Sequence, residues 1–147
     1  MNYTIKPCFG LGDLVFGMDS KDVIAILGTQ FIKTIDDEQN HVYTFHQLQI
    51  RLTFYAEENF RLGYIVSNHP ALNFAGQTLI GQLTSEIKKE FKQINSWETT
   101  VDDEYITHHF NENNWIDLHE EFFRITKVEI GATIKNLDEF DWKFPKK

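Results

Sequence analysis

The stretch GLGDLVFGMDSKDVIAILG, from Gly10 to Gly28, decides how the rest of the chain is read. Four glycines frame a short apolar run and a helix-like segment. A dinucleotide-binding turn places glycines at its first, third and sixth positions, but Val15 occupies the sixth. A P-loop closes on Gly-Lys-Ser/Thr, whereas Gly17 is followed by Met18 and Asp19, and an aspartate there would repel a phosphate. The glycines therefore read as a tight chain entry into a helix over Ser20–Leu27. Asp19 and Ser20 supply its start and Gly28 its stop.

The same pattern returns 64 residues later. GDLVFGMDSKDVIAIL (Gly12 to Leu27) falls on GQTLIGQLTSEIKKEF (Gly76 to Phe91) without a gap, so that Gly17 meets Gly81, Val23 meets Ile87 and Leu27 meets Phe91. The offset continues with Val42 on Ile106, Leu52 on Ile116, Phe54 on Leu118, Tyr64 on Val128 and Val66 on Ile130. It breaks where Ile50 meets Asn114 and Phe60 meets Arg124. A period of this length points to a duplicated structural unit. Each unit reads as a helix (about 20–27, then about 85–94, opened by Thr84 and Ser85) followed by three strands.

The strands are placed at about 41–46, 47–55 and 60–67 in the first unit, and at about 105–111, 115–122 and 124–131 in the second. Leu48, Ile50, Leu52 and Phe54 alternate with Gln49, Arg51, Thr53 and Tyr55, the signature of a half-buried strand. Glu57, Glu58 and Asn59 read as a hairpin loop. The expectation is an α+β fold: a tandem repeat of one helix plus a three-stranded antiparallel sheet, with the helices packed on the sheet faces. One domain spans 1–147, made of units at about 10–70 and 74–134, with a tail at 135–147 that docks through Phe140, Trp142 and Phe144.

The segment FGMDSKDVIAILG, Phe16 to Gly28, resembles the helix-start signature of the small bacterial SmpA/OmlA-type units. In the second copy Gln82 replaces Met18. A tandem pair of such units resembles the beta-lactamase inhibitory proteins, and the chain is similar to small acidic immunity proteins encoded beside bacterial toxins, as in contact-dependent inhibition. The resemblance implies a binder and carries no catalytic residue across. The N-terminal MNYTIKPCFG lacks the basic, apolar, small-residue order of a secretion signal, so the expectation is a cytoplasmic protein rather than an envelope lipoprotein.

Composition agrees with a folded, water-exposed chain. Of 147 residues, 41% are hydrophobic and 14% aromatic, with thirteen phenylalanines to fill a core. No apolar run is long enough for a membrane helix. One cysteine excludes an internal disulfide. A formal charge of −8 disfavours nucleic acid and anionic membrane as partners.

The charge is concentrated. Between Gln93 and Phe123 lie Glu98, Asp102, Asp103, Glu104, Glu112, Asp117, Glu120 and Glu121, with no lysine or arginine. Such a window is either a solvated surface or a docking face for a basic partner. Trp97, Tyr105, Phe110 and Trp115 interleave with the acids, as aromatic anchors do in tight interfaces. The residues proposed to meet the partner are Glu98, Asp102, Asp103, Glu104, Tyr105, Trp115, Asp117, His119 and Glu120, with Asp36–Glu38 as the fallback surface.

Catalytic signals are sparse. No Gly-x-Ser-x-Gly elbow exists, and Cys8 lies between Pro7 and Phe9 without a nearby base. His108 and His109, being adjacent on a strand, point to opposite faces, while Asp117 and His119 share one. A metal site built from His108 or His109 with His119 and a carboxylate is geometrically possible, but polar strand histidines are the ordinary reading. No cofactor and no metal are expected. The leading expectation is a non-enzymatic immunity or inhibitor protein that neutralises a basic, nuclease-like toxin. A metal-assisted enzyme using His108, His109 and His119, or an envelope-assembly module, is the alternative.

Overall fold

The protein is described by a computed structural model covering residues 1–92 and 94–145. Gln93, inside the span predicted for the second helix, and residues 146–147, at the end of the predicted tail, lie outside the described residues. Three short strands, β1 (Ile5–Lys6), β2 (Gly10–Leu11) and β3 (Leu14–Val15), form a small antiparallel sheet. After them come α1 (Ser20–Leu27), β4 (Ile32–Ile35), β5 (His41–Phe45), β6 (Ile50–Tyr55) and β7 (Arg61–Ser67). A two-stranded ribbon of β8 (Asn73–Phe74) and β9 (Gln77–Thr78) leads into α2 (Thr84–Glu90), then β10 (Glu98–Val101), β11 (Thr107–Asn111), β12 (Ile116–Glu121) and β13 (Arg124–Gly131). The chain closes with the hairpin β14 (Ile134–Asn136) and β15 (Glu139–Phe140).

The two helices start by different means. Asp19 caps α1 in a reciprocal box: its carboxylate accepts from the Asp22 N–H at 2.9 Å, and its own N–H donates to the Asp22 carboxylate at 3.0 Å. Gly28 ends the helix at φ 85°, a conformation open to a residue without Cβ. The capping predicted for Thr84 and Ser85 does not occur, because Leu83 holds the cap position of α2 and offers no side-chain acceptor. Instead the Thr84 N–H donates to the Phe123 carbonyl at 3.0 Å, tying the helix start to the β12–β13 turn. That helix stops at Glu90, short of the predicted 94.

The expected fold class is wrong. The described residues are mostly β, 43% strand and 12% helix, and do not form a repeat of a helix with a three-stranded sheet. The strands of both halves merge edge to edge into one antiparallel sheet in the order β10-β11-β12-β13-β7-β6-β5-β4. Its central seam pairs β13 with β7, Ile130 opposite Ile65 and Val128 opposite Ser67. The physical reason is legible in β7, where Leu62, Ile65 and Val66 are buried on both faces. A strand covered on both faces is an interior strand, and leaving it at an edge would strand its unpaired N–H and C=O groups. The outermost strands β4 and β10 also escaped prediction, since all eight of their residues are exposed and show no apolar alternation.

The sheet has two unlike faces. On the inner face Tyr43, Phe45, Leu52, Phe54, Ile65, Ile116, Leu118, Val128 and Ile130 join a single core with Val23 of α1 and Ile87 of α2. Burial of such side chains, at roughly 1.5–3 kcal/mol each, is what holds the helices to the sheet. Both α1 and α2 pack on the inner face. The covering of the outer face is the C-terminal segment, where Phe140 packs on Tyr55 with ring centroids 5.5 Å apart and Trp142 stacks on Phe140. Arg61 lies over Trp142 and donates to the carbonyls of Gly17 and Phe144 at 3.0 and 2.8 Å, so the predicted docking of the tail is realised through these groups.

Candidate functional site

The outer face presents an acidic cleft of about 460 Å3 lined by Asp36, Glu38, Glu57, Tyr55, Tyr64 and Phe140, together with Asn40 and Thr53. Alternation along β6 and β7 supplies Thr53, Tyr55 and Tyr64, the β4–β5 turn supplies Asp36 and Glu38, and the β6–β7 turn supplies Glu57. Asp36 organises the β4–β5 turn by accepting from the N–H groups of Glu38 and Asn40, both at 2.9 Å, and these bonds, working against a desolvation that raises it, hold its carboxyl below the usual range. Burial, with Glu38 adding to it, pushes the Tyr55 hydroxyl up to about 12. Tyr55 owes its position to Gly63: a Cβ there would come within 2.0 Å of the tyrosine ring.

Tyr64 links the cleft to a second cluster. Burial, then the nearby Glu129 carboxylate and its hydrogen bond, raise the Tyr64 hydroxyl far above its ordinary value. Beyond Glu129, the strands β13, β12 and β11 place Asp117 opposite Glu129 and His108 opposite His119 on the same outer face. The donor atoms of His108, Asp117, His119 and Glu129 all lie within 4.8 Å of one another. His108 Nδ1 donates to Asp117 at 2.9 Å and Nε2 to Asp102 at 2.8 Å. His119 Nε2 hydrogen-bonds Glu129.

The electrostatics follow from these contacts. Two carboxylate acceptors on one imidazole require both ring nitrogens to carry protons, the cationic form. Burial alone would push His108 down, but Asp102 and Asp117 outweigh it and raise its pKa. Glu129 is likewise opposed by burial, yet hydrogen bonds from His119 and Tyr64 hold it below the usual carboxylate range. Asp117 Oδ1 is buried and accepts from no protein group among the described residues.

No protein-family model matches the chain, and no curated protein matches it. One solved structure is similar: an extracellular protein containing an SCP domain from Bacillus anthracis str. Ames, at a TM-score of 0.56 and 10% identity. The match covers 79% of this chain and 43% of that one. At that identity the likeness concerns the fold alone. No helix among the described residues is long and apolar enough to cross a membrane.

Of the residues proposed from sequence to meet a partner, the fold brings Asp102, Asp117 and His119 together, and with them His108, which the sequence offered only for the alternative metal site. Trp115 lies beside them in the β11–β12 turn, its ring on Gly131, where a Cβ would sit 2.3 Å from the indole, and edge-on to Phe110. Asp103, Glu104 and Tyr105 project from the β10–β11 turn, and Tyr105 is 88% exposed. Glu98 is exposed on the edge strand β10, opposite Phe110. Glu120 is separated from the rest: it lies on the inner face, accepting from His109 Nε2 at 3.2 Å. His109 shares that side with Lys88 of α2 and Thr99, at 3.1 and 3.3 Å from its Nδ1.

Sequence reasoning missed Glu129 and Tyr64. Each is a polar or amphipathic residue flanked by buried apolar ones, Val128 and Ile130 around the first and Leu62 and Ile65 near the second. That alternation marks the face of each residue. The β13–β7 pairing needed to bring them together does not show in local sequence.

Proposed function

We propose that this chain is a cytoplasmic immunity or inhibitor protein that binds and neutralises a basic, nuclease-like protein toxin, with the outer sheet face as its docking surface. The observation that carries the reading is the acidic, aromatic-lined cleft on the sheet face opposite α1 and α2. Carboxylates of Asp36, Glu38 and Glu57 would meet lysines and arginines of the toxin, and Tyr55, Tyr64 and Phe140 offer rigid apolar area at low entropic cost. The rim extends to Asp103, Glu104 and Tyr105 at the β10–β11 turn. The formal charge of −8 would steer such a partner in at low salt.

The test is a kinetic binding experiment with the purified product of the open reading frame next to this gene. Glu38→Lys with Glu57→Lys should slow association at least tenfold at low salt, and the wild-type rate should fall steeply as salt is added. Absence of binding to that product, or association indifferent to both charge reversal and salt, would overturn the reading.

A further inference from the structure

We propose that His108, Asp117, His119 and Glu129 form a binding site for one divalent transition-metal ion of the zinc class. Three neighbouring strands supply the donors, and all four donor atoms already lie within 4.8 Å of one another. A tetrahedral zinc ion with bonds of about 2.0–2.1 Å sets its donors roughly 3.4 Å apart, a spacing close to the one these side chains already hold. Two imidazole nitrogens with two carboxylate oxygens suit zinc and its neighbours rather than magnesium or calcium, which take oxygen.

The surroundings support an ion at this place. His108 turns Nδ1 toward the cluster while Asp102 holds Nε2 at 2.8 Å, and Asp102 is itself fixed by the N–H groups of Glu104 and Ile106 at 2.9 and 3.0 Å. A carboxylate behind a ligating histidine is the usual outer support of a metal ligand. Tyr64 gives Glu129 the same kind of support. Asp117 and Glu129 face each other directly across β12 and β13, an unfavourable pairing of like charges. Asp117 Oδ1 is also buried without a partner among the described residues, which is costly for a carboxylate oxygen. A dication between the strands relieves that repulsion.

The site stands independently of the docking reading, since it needs no partner. The experiment titrates the metal-stripped full chain with zinc chloride by calorimetry and with cobalt chloride by visible absorption. The expected result is one ion per chain, a higher melting temperature, and the intense visible bands of tetrahedral cobalt. Asp102→Asn should weaken zinc binding 10- to 100-fold in a folded protein. His109→Ala, on the opposite face, should leave it within threefold. Absence of saturable zinc binding, or equal affinity in the wild type and Asp102→Asn, would overturn the proposal and leave a hydrogen-bonded histidine–carboxylate network.

Discussion

On the inner face of the sheet Leu52 lies opposite Ile65 and Leu118 opposite Val128; one residue further along the same strands, Thr53 faces Tyr64 and Asp117 faces Glu129. The two faces share a backbone and differ in everything else. Nowhere is this sharper than at His108 and His109. His108, outward, donates from both nitrogens to carboxylates. His109, inward, sits with Nδ1 against the Lys88 ammonium and donates from Nε2 to Glu120. Burial first, then Lys88, lower the pKa of His109, while the carboxylates raise that of His108. A single step along a strand thus exchanges a cation-favouring site for a cation-rejecting one. The lesson is that stability and recognition can be written into alternate residues of one sheet, each nearly free of the other.

If the inner face holds the fold, truncating it should cost most. Phe54, 1% exposed, touches Tyr43 at a centroid distance of 4.9 Å, and Phe54→Ala should destabilise by about 3–5 kcal/mol in chemical denaturation. A loss below about 1 kcal/mol would break the division between faces. Packing also matters at places on the outer face, and the Gly131 position sharpens the comparison. A methyl group at Gly131 meets the Trp115 indole at 2.3 Å and the Tyr64 ring at 3.0 Å. Gly131→Ala should cost roughly 1–3 kcal/mol and alter the near-ultraviolet circular dichroism, because the indole must leave its seat. The exposed acids should cost least. Glu38→Lys with Glu57→Lys should move stability by no more than about 0.5 kcal/mol by thermal melt, the ordinary size for surface changes, whatever it does to binding.

Much of this arrangement is visible in the sequence, element by element. The capped start of α1, the alternation of Ile50, Leu52 and Phe54, the opposite faces of His108 and His109, and the shared face of Asp117 and His119 all follow from local periodicity and capping chemistry. What local rules do not carry is which edges meet. β7 and β13 are 57 residues or more apart along the chain, and their union into one sheet depends on burial of both faces at once rather than on any turn signal. The same non-local step conceals Glu129 from sequence reasoning. An irregularity between His119 and Glu120 in the β12–β13 register adds to this, because it makes face assignments from simple counting drift on one side of the bulge. Helix α2 illustrates another limit: its anchor is the Phe123 carbonyl, a long-range partner that no capping pattern announces.

The two faces hold neighbouring residues in opposite electrostatic settings, and two histidine resonances report on it. In metal-free protein, nuclear magnetic resonance titration should place the pKa of His108 above 6.5, the ordinary histidine value, and that of His109 below it. The signs carry into stability. His108 stabilises the fold fully below pH 6.5, and this is lost as the pH rises through its raised folded value. His109, depressed, contributes above 6.5, and its contribution is lost as the pH falls through its folded value. Asp102→Asn should bring His108 back toward 6.5 and leave His109 unmoved. Two curves that cross 6.5 on opposite sides are the predicted result; coincident curves, or His109 titrating above His108, would contradict the account.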